Sequence, residues 1–291
     1  MPPRDMALAA TTSVVWGLAF VATKLGLESF SAPQLTVLRF AVAALPALVL
    51  PRPQVPWPML VATGLTLFAG QFLLLFFAYA QGLPPGVASV TQQMQVFFTV
   101  LLAALFLADV PTRRQVTGMA VAFCGIGLIA LTVGRDLPLL ALALAVGGAL
   151  SWAVGNVLVK RIGPDVPALP LVAWLSLVPP LPALLVSSLD GGGPSLPAAV
   201  TGASWVSLLA LLYLGAVSTV LGFAAWGSLL ARYPAALVAP FALLSPCTGV
   251  AASALVFGER FGSLRLGGMA LILAGLAVIV LPLPARAARA A

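Results

Sequence analysis

Three glutamines interrupt the otherwise apolar stretch Gly86–Thr99, and their amides could bind a small polar ligand. Gln92 and Gln95 are three residues apart, so in a helix they share a face, about 10–15 Å along from its start. An amide both donates and accepts hydrogen bonds, which suits a zwitterionic ligand. The same amides could instead hold neighbouring helices together. We expect Gln92 and Gln95 to line a binding site and Gln93 to point about a quarter-turn away.

Aromatic side chains recur in neighbouring apolar runs and could form the wall of the same site. Binding pockets are mostly apolar with a few polar anchors, although any single ring could equally pack in the core or face lipid. The wall and anchor candidates are Trp16, Phe72, Tyr79, Trp152, Asn156, Tyr213, Ser218 and Trp226.

Three cations stand inside or at the end of apolar runs. Lys24 and Lys160 each end a run, where a cation favours the helix C-terminus and can reach the membrane interface. Alternatively, they contact a ligand carboxylate or act in gating. Arg39 lies about two turns inside its run and needs a partner, either Glu28 or free helix-end carbonyls. We interpret Arg39 as structural or gating.

Two prolines, Pro240 and Pro246, lie inside the ninth apolar run. Proline removes a backbone hydrogen bond and bends a helix. We therefore expect this run to act as a hinge or to expose carbonyl groups.

Several classes of chemistry are excluded by what the chain lacks. It has no histidine, and its seven acidic residues lie in loops or at the ends of apolar runs. This argues against an enzyme with a metal centre, a carboxylate pair or a triad, so we expect no catalytic residue, metal or cofactor. No basic stripe with aromatic residues indicates nucleic-acid binding, and no obligate protein partner is predicted. Without a carboxylate inside a run, we expect a facilitator or exchanger, or coupling through rim acids such as Glu28 and Glu259.

The elements that would position these residues are membrane spans. Of the 291 residues, 62% are hydrophobic and 7% are charged, whereas soluble domains carry roughly 25% charged residues. We predict an all-α polytopic membrane protein in a lipid bilayer, since lipid offers no partner for free backbone groups. The ten predicted spans are 6–26, 33–50, 58–80, 86–107, 114–133, 138–160, 168–189, 204–230, 235–257 and 264–282.

The chain repeats itself, which predicts two halves, 1–135 and 136–291, with an insertion in the loop 190–195. Five spans per half is an odd number, so the second half would be inverted, and inverted repeats are typical of alternating-access transporters with a central cavity. The matching segments are Trp16–Lys24 with Trp152–Lys160, Pro46–Leu48 with Pro182–Leu184, and Gly118–Ala120 with Gly268–Ala270.

The positive charges indicate the orientation of the chain. With the N-terminus on one side, nine of the 14 basic residues fall on that side, so the positive-inside rule predicts that both termini are cytoplasmic. The nine are Arg4, Arg52, Arg113, Arg114, Lys160, Arg161, Arg232, Arg286 and Arg289; the five are Lys24, Arg39, Arg135, Arg260 and Arg265.

Several short motifs occur along the chain: Trp16-Gly17, Phe20, Lys24, Leu38-Arg39-Phe40 and Gly258-Glu259-Arg260. Together they resemble the EamA branch of the drug/metabolite transporter superfamily over the whole chain. Within it, Gly86–Thr99 and Trp226–Tyr233 look like exporters of aromatic amino acids or of cysteine and O-acetylserine. The resemblance implies a multi-pass exporter of the bacterial inner membrane, whose small-molecule substrate is amino acid-like. A translocator of drugs or lipid-like molecules on the same scaffold is the alternative. Asp109-Val110 departs from the usual Glu-Arg pair.

Overall fold

The computed structural model describes residues 1–134, 137–163, 165–189, 194–233 and 235–281. The predicted boundary between the halves, at residues 135 and 136, lies outside the described residues. So do most of the predicted insertion, residues 190–193, and three of the basic residues used for the orientation, Arg135, Arg286 and Arg289.

Ten long helical segments follow one another along the described chain, and we number them α1 to α10. Their ends fall within four residues of the predicted spans. They are α1 (Pro3–Gly26), α2 (Ala32–Leu48), α3 (Trp57–Ala80), α4 (Pro85–Leu107), α5 (Arg113–Ala130), α6 (Leu139–Ile162), α7 (Ala168–Leu189), α8 (Trp205–Arg232), α9 (Ala239–Phe257) and α10 (Ser263–Val280).

Eight of these described helices, α1, α3, α4 and α6 to α10, are long and apolar enough to cross a membrane. The helix α2 is shorter, and α5 begins with two arginines. A short helix not foreseen among the spans, Leu196–Gly202, precedes α8. The chain is therefore an all-helical, polytopic membrane protein.

Local sequence signals explain where several helices begin. Ser31 precedes α2 and forms a capping box with Gln34: the Ser31 hydroxyl accepts from the Gln34 amide N–H, and the Gln34 side chain accepts from the Ser31 N–H. Thr112 and Gln115 form the same arrangement before α5. Proline occupies the first turn of α1, α2, α3 and α4, where its missing N–H has no partner to lose.

Glycines bring α5 and α10 into close antiparallel contact. A Cβ on Gly118 would lie 2.7 Å from the carbonyl oxygen of Gly275, and one on Gly125 would lie 2.6 Å from that of Gly268. At the end of this pair, the Arg114 guanidinium donates to the carbonyls of Val278 and Leu281. These helices form a rigid side of the bundle, because small residues let backbones approach closely.

Four of the long helices, α3, α4, α7 and α8, are irregular near their middles, and α9 is irregular at its start; in α7 the α-helix stops at Leu175 and resumes at Pro180. The helices α3 and α8 contain π-helical segments at Leu65–Gly70 and Tyr213–Leu221. In α4 the α-helix stops at Thr91 and resumes at Met94, and α9 starts with a 3₁₀ turn at Ala239–Leu243. Irregular turns leave carbonyl groups free for other partners, and they occur frequently at functional sites.

Four of the irregular helices surround α1 and α6. The helix α1 packs against α8 and α9, whereas α6 packs against α3 and α4. The helix α2 packs against α3 and α8. These seven helices therefore hold the side chains of the candidate site.

Candidate functional site

The π segment of α8 creates a polar position halfway along that helix. The Thr219 hydroxyl donates to the carbonyl of Leu214, five residues earlier, at 2.8 Å. The neighbouring carbonyl of Ser218 accepts from the indole N–H of Trp16 at 3.0 Å. Because the wide turn frees these groups from regular helical bonding, α1 can bind to α8 at this depth.

Arg39 meets the same segment from the other side, and we call Arg39, Thr219 and Phe72 the arginine cluster. The Arg39 Nε and Nη2 donate to the Thr219 hydroxyl at 3.3 and 3.2 Å. The guanidinium carbon lies 3.9 Å from the centre of the Phe72 ring. Arg39 is 3% exposed and lies about 10 Å from the start of α2. Among the described residues it bonds neither Glu28 nor helix-end carbonyls, the partners expected from the sequence.

A row of aromatic rings runs alongside the arginine cluster. Trp16 lies 5.2 Å from Trp226 and 5.4 Å from Phe223, measured between ring centres. The centre of the Phe223 ring lies 5.9 Å from that of Phe68, and the centre of the Phe68 ring lies 6.4 Å from that of Phe72. Three candidate wall residues, Trp16, Phe72 and Trp226, thus belong to one row together with Phe68 and Phe223, which the sequence analysis missed. The i, i+3 spacing of Phe223 and Trp226 was the available signal.

A second polar group joins α4 to α6, and we call Gln95, Thr99 and Asn156 the amide cluster. The Asn156 amide donates to Gln95 Oε1 at 2.7 Å and to the Thr99 hydroxyl at 3.2 Å. Thr99 also lines a cleft of about 370 Å³ that contains Asp109 and Lys160. The i, i+4 spacing from Gln95 was the signal that could have identified Thr99.

Gln92 also reaches α6 but does not join this cluster. Its side chain is fully buried, and its amide nitrogen donates to the carbonyl of Ala145 at 3.3 Å. Its Oε1 has no hydrogen-bond partner among the described residues. Gln93 instead donates to the carbonyl of Ser89 on its own helix.

Both candidate tyrosines use their hydroxyls to hold α1. Tyr79 donates to the carbonyl of Phe20 at 3.1 Å, and Tyr213 donates to the carbonyl of Val15 at 2.7 Å. Trp152 packs against the cluster that includes Phe40 and Phe68.

The two lysines mark opposite ends of the bundle, the Lys24 end and the Lys160 end. The Lys24 ammonium lies 4.3 Å from the centre of the Phe257 ring. Lys160 instead forms an ion pair with Asp109, in which both side chains are about half exposed. Beside Lys24, the second cleft, of about 490 Å³, is lined by Glu28, Ser31, Tyr79 and other residues.

At the Lys24 end, Glu259 joins the end of α9 to the start of α4. Its Oε2 accepts from the Gly86 N–H at 3.2 Å and from the Ser253 hydroxyl. Its Oε1 is buried without a hydrogen-bond partner in the described part of the chain.

At the Lys160 end, Asp5 joins α1 to α8. It accepts from Arg232 Nη1 at 3.2 and 3.3 Å and from the Tyr233 hydroxyl at 2.5 Å. The hydrogen bond to Asp5 raises the pKa of Tyr233, because ionisation would break it beside a carboxylate.

The two candidate hinge prolines lie where α9 is irregular. Pro240 stands in the 3₁₀ turn, and Pro246 lies in the first turn of the α-helix that follows. The carbonyl of Pro246 accepts from the Ser89 hydroxyl of α4 at 3.3 Å. A carbonyl of α9 is thus used to bind α4.

Comparison with known proteins identifies the family. Residues 5–131 and 139–281 each match the EamA-like transporter family. The chain belongs to this family. It is a membrane transporter and not an enzyme.

Two curated relatives and one solved structure cover nearly the whole transporter. The chain is 39% identical to a protein of Salmonella typhimurium and 37% identical to one of Escherichia coli, over 96% of each chain; both are named "Probable amino-acid metabolite efflux pump". A crystal structure that is 20% identical superposes with a TM-score of 0.64 over 94% of this chain and 95% of the other, which shows a shared fold.

Proposed function

We propose that this transporter exports amino acids or closely related metabolites from the bacterial cytoplasm by alternating access. The two curated relatives support the substrate class, since both bear the name of an amino-acid metabolite efflux pump. The observation that carries the proposal is the mid-depth site, where Arg39, Thr219 and the Ser218 carbonyl adjoin a row of aromatic rings. Such a mixture suits a small molecule with charged and apolar parts.

We further propose that the chain consists of two inverted five-helix repeats, 1–135 and 136–291, around a central cavity. The family matches once in each half. The antiparallel contact between α5 and α10 supports inversion, because Gly118 and Gly268 are equivalent in the repeat and each meets the other's helix. The π segments of α3 and α8 start 148 residues apart. This is close to the 150 residues that separate Gly118 from its repeat equivalent Gly268.

The proposed cavity lies between the repeats, and the substrate contacts are drawn from the candidate residues that adjoin it. In this proposal the arginine cluster, Trp16, Trp152, Ser218 and Trp226 form one wall, and the amide cluster and Gln92 form another. Tyr79 and Tyr213 hold α1 in place, and Pro240 and Pro246 allow α9 to bend. Lys24 and Lys160 act at the two gates.

We propose that the Lys160 end faces the cytoplasm and that both termini are cytoplasmic, in the bacterial inner membrane. The excess of arginine on that side supports this orientation. A C-terminal reporter that is active only in the cytoplasm tests it, and a signal confined to a periplasmic reporter would contradict it.

Counterflow into liposomes that contain the purified protein tests the function. Labelled L-phenylalanine, L-cysteine and O-acetyl-L-serine are the probes, and at least one should accumulate against unlabelled internal substrate. Gln95→Ala should lower the rate by up to about tenfold, because the substrate would lose a hydrogen bond worth roughly 0.5–1.5 kcal/mol, and 1.4 kcal/mol corresponds to a factor of ten.

Gln54→Ala is the matched control, because Gln54 is exposed in the loop between α2 and α3. It should transport like the wild type. The amino-acid proposal fails if none of the three probes accumulates, and accumulation of a lipid-like or drug-like probe instead would favour the alternative substrate class. If Gln95→Ala transports normally, the amide cluster is structural.

A further inference from the structure

The arginine cluster contains a buried charge for which the described residues supply no counter-ion. The ion pairs among the described residues are Lys160 with Asp109 and Arg232 with Asp5, and neither includes Arg39. The described hydrogen bonds of the guanidinium both go to the neutral Thr219 hydroxyl. A charge at this depth is costly to insert, so it is rarely retained without a function.

No acidic group of the described chain lies at the depth of Arg39. Each described acidic residue is at a helix end or in a loop, far from the middle of α2 and α8: Asp5, Glu28, Asp109, Asp165 and Glu259. The described residues therefore supply no carboxylate partner for this charge.

The packing of α2 against α8 does not by itself require a cation at position 39, because the matching contact between α7 and α3 is made by a leucine. A Cβ on Gly215 of α8 would lie 2.7 Å from Val42 Cβ and 2.9 Å from the carbonyl oxygen of Arg39. A Cβ on Gly64 of α3 would lie 2.7 Å from Val178 Cβ and 3.1 Å from the carbonyl oxygen of Leu175. Leu175 follows Arg39 by 136 residues, which is also the separation of Trp16 and Trp152 in the repeat. A leucine therefore makes the corresponding contact in the other half.

We propose that Arg39 binds the carboxylate of the transported substrate, an inference that rests on the proposed amino-acid function. The planar guanidinium can donate two parallel hydrogen bonds to a carboxylate, a stronger arrangement than its bonds to one hydroxyl. While the site is empty, Thr219 holds the guanidinium in position. When the carboxylate binds, N–H groups that donate to Thr219 donate to the carboxylate instead. Phe72 covers one face of the guanidinium, and the aromatic row accommodates the substrate side chain.

The bound carboxylate also pairs with the buried guanidinium. An ion pair with good hydrogen bonds offsets much of the desolvation cost of that cation. The ammonium group of a zwitterionic substrate leaves the net charge of the site unchanged, so the gain comes from the ion pair and its hydrogen bonds. The substrate carboxylate thereby favours the occupied carrier during the change of access.

The test compares each transported probe with its carboxamide, which has the same shape and no negative charge. In the wild type, the amide should compete for counterflow at least about tenfold more weakly than the acid, since a charge-assisted hydrogen bond contributes about 1.5–3 kcal/mol. Arg39→Gln should lower transport of the acid about tenfold or more and reduce the preference for acid over amide towards one. Arg39→Lys keeps the positive charge but loses the planar pair of N–H donors, so it should retain only part of the preference for acid over amide.

Arg52→Gln is the control, because Arg52 stacks on Trp57 outside the predicted site; it should leave the preference unchanged. Equal competition by acid and amide in the wild type overturns the proposal while leaving amino-acid export intact. So does an Arg39→Gln protein that still prefers the acid. If Arg39→Gln is not monodisperse after purification, the wild-type preference and its reduction in Arg39→Lys decide the question. Absence of transport of every acid probe is instead the failure of the proposed function.

Discussion

The π segments of α3 and α8 are built alike and carry different chemistry. Each has a glycine that receives one neighbouring helix: Gly64, which directly precedes the segment of α3, receives α7, and Gly215, within the segment of α8, receives α2. Each also gives a carbonyl to a neighbouring helix. Thr66 accepts from the Ser151 hydroxyl at 2.7 Å, and Ser218 accepts from the Trp16 indole at 3.0 Å.

The difference lies in the side chains placed against the two segments. The helix α2 presents Arg39 to Thr219, whereas α7 presents Leu175, which is 1% exposed. The residue 150 positions before Thr219 is Ala69, which cannot form a hydrogen bond through its side chain. The comparison teaches that similar packing can be used twice while polarity is added to one copy. In the proposed repeat, symmetric contacts then mark the scaffold, and the break in symmetry marks the proposed binding site.

The largest expected effect comes from placing a charge in the apolar copy. Leu175→Arg should abolish stable expression, because an arginine at this depth costs roughly 2.5–3.5 kcal/mol on insertion scales before any packing strain is counted. The yield of monodisperse protein and its melting temperature measure the loss.

Leu175→Met is the matched control and should cost less than about 1.5 kcal/mol, since it conserves volume and polarity. If Leu175→Arg folds with the stability of the wild type, a cation is tolerated in both helix contacts. The presence of Arg39 in only one of them would then not indicate a binding site.

An intermediate effect should be nearly equal in the two copies. Gly64→Ala and Gly215→Ala each place a Cβ 2.7 Å from a valine Cβ, so each should destabilise the protein by about 1–3 kcal/mol through overpacking. Thermal melting of the purified variants measures the loss. Gly127→Ala is the control, because a Cβ there meets nothing within 4 Å. A large loss in one variant and none in the other would show that the two packing arrangements are not equivalent.

The smallest effect concerns the end of α8, where Tyr233 bonds Asp5. The equivalent of Tyr233 in the first proposed repeat, 150 positions earlier, is the buried Leu83, which cannot form such a bond. The bond to Asp5 raises the pKa of Tyr233 above its ordinary value of 10.0. Its contribution to stability is therefore complete below pH 10 and is lost as the pH rises through the folded-state pKa.

The measurement is the difference in melting temperature between the wild type and Tyr233→Phe across this pH range. The difference should be small and constant up to about pH 9 and should shrink above pH 10. For Leu83→Ala the difference should not change with pH in this way, since leucine does not titrate. A constant difference for Tyr233→Phe at high pH would show that the phenol does not stabilise this end of the bundle.

The sequence by itself determined the scaffold. Hydropathy and length located all ten helices within four residues, because a span must be apolar over a fixed length whatever it packs against. The seven-residue spacing of Gly118 and Gly125 likewise places both glycines on one face of α5, because residues seven apart share a helix face.

Only the tertiary structure decided the partners of the polar side chains. The partner of Arg39 is Thr219, 180 residues away, and no local pattern connects them. Gln92 and Gln95 share a face in a regular helix, but the break in α4 lies between them, so they bond different residues of α6. A π or 3₁₀ turn rotates every side chain beyond it, and that rotation, together with the depth at which two helices cross, is fixed by packing across the bundle.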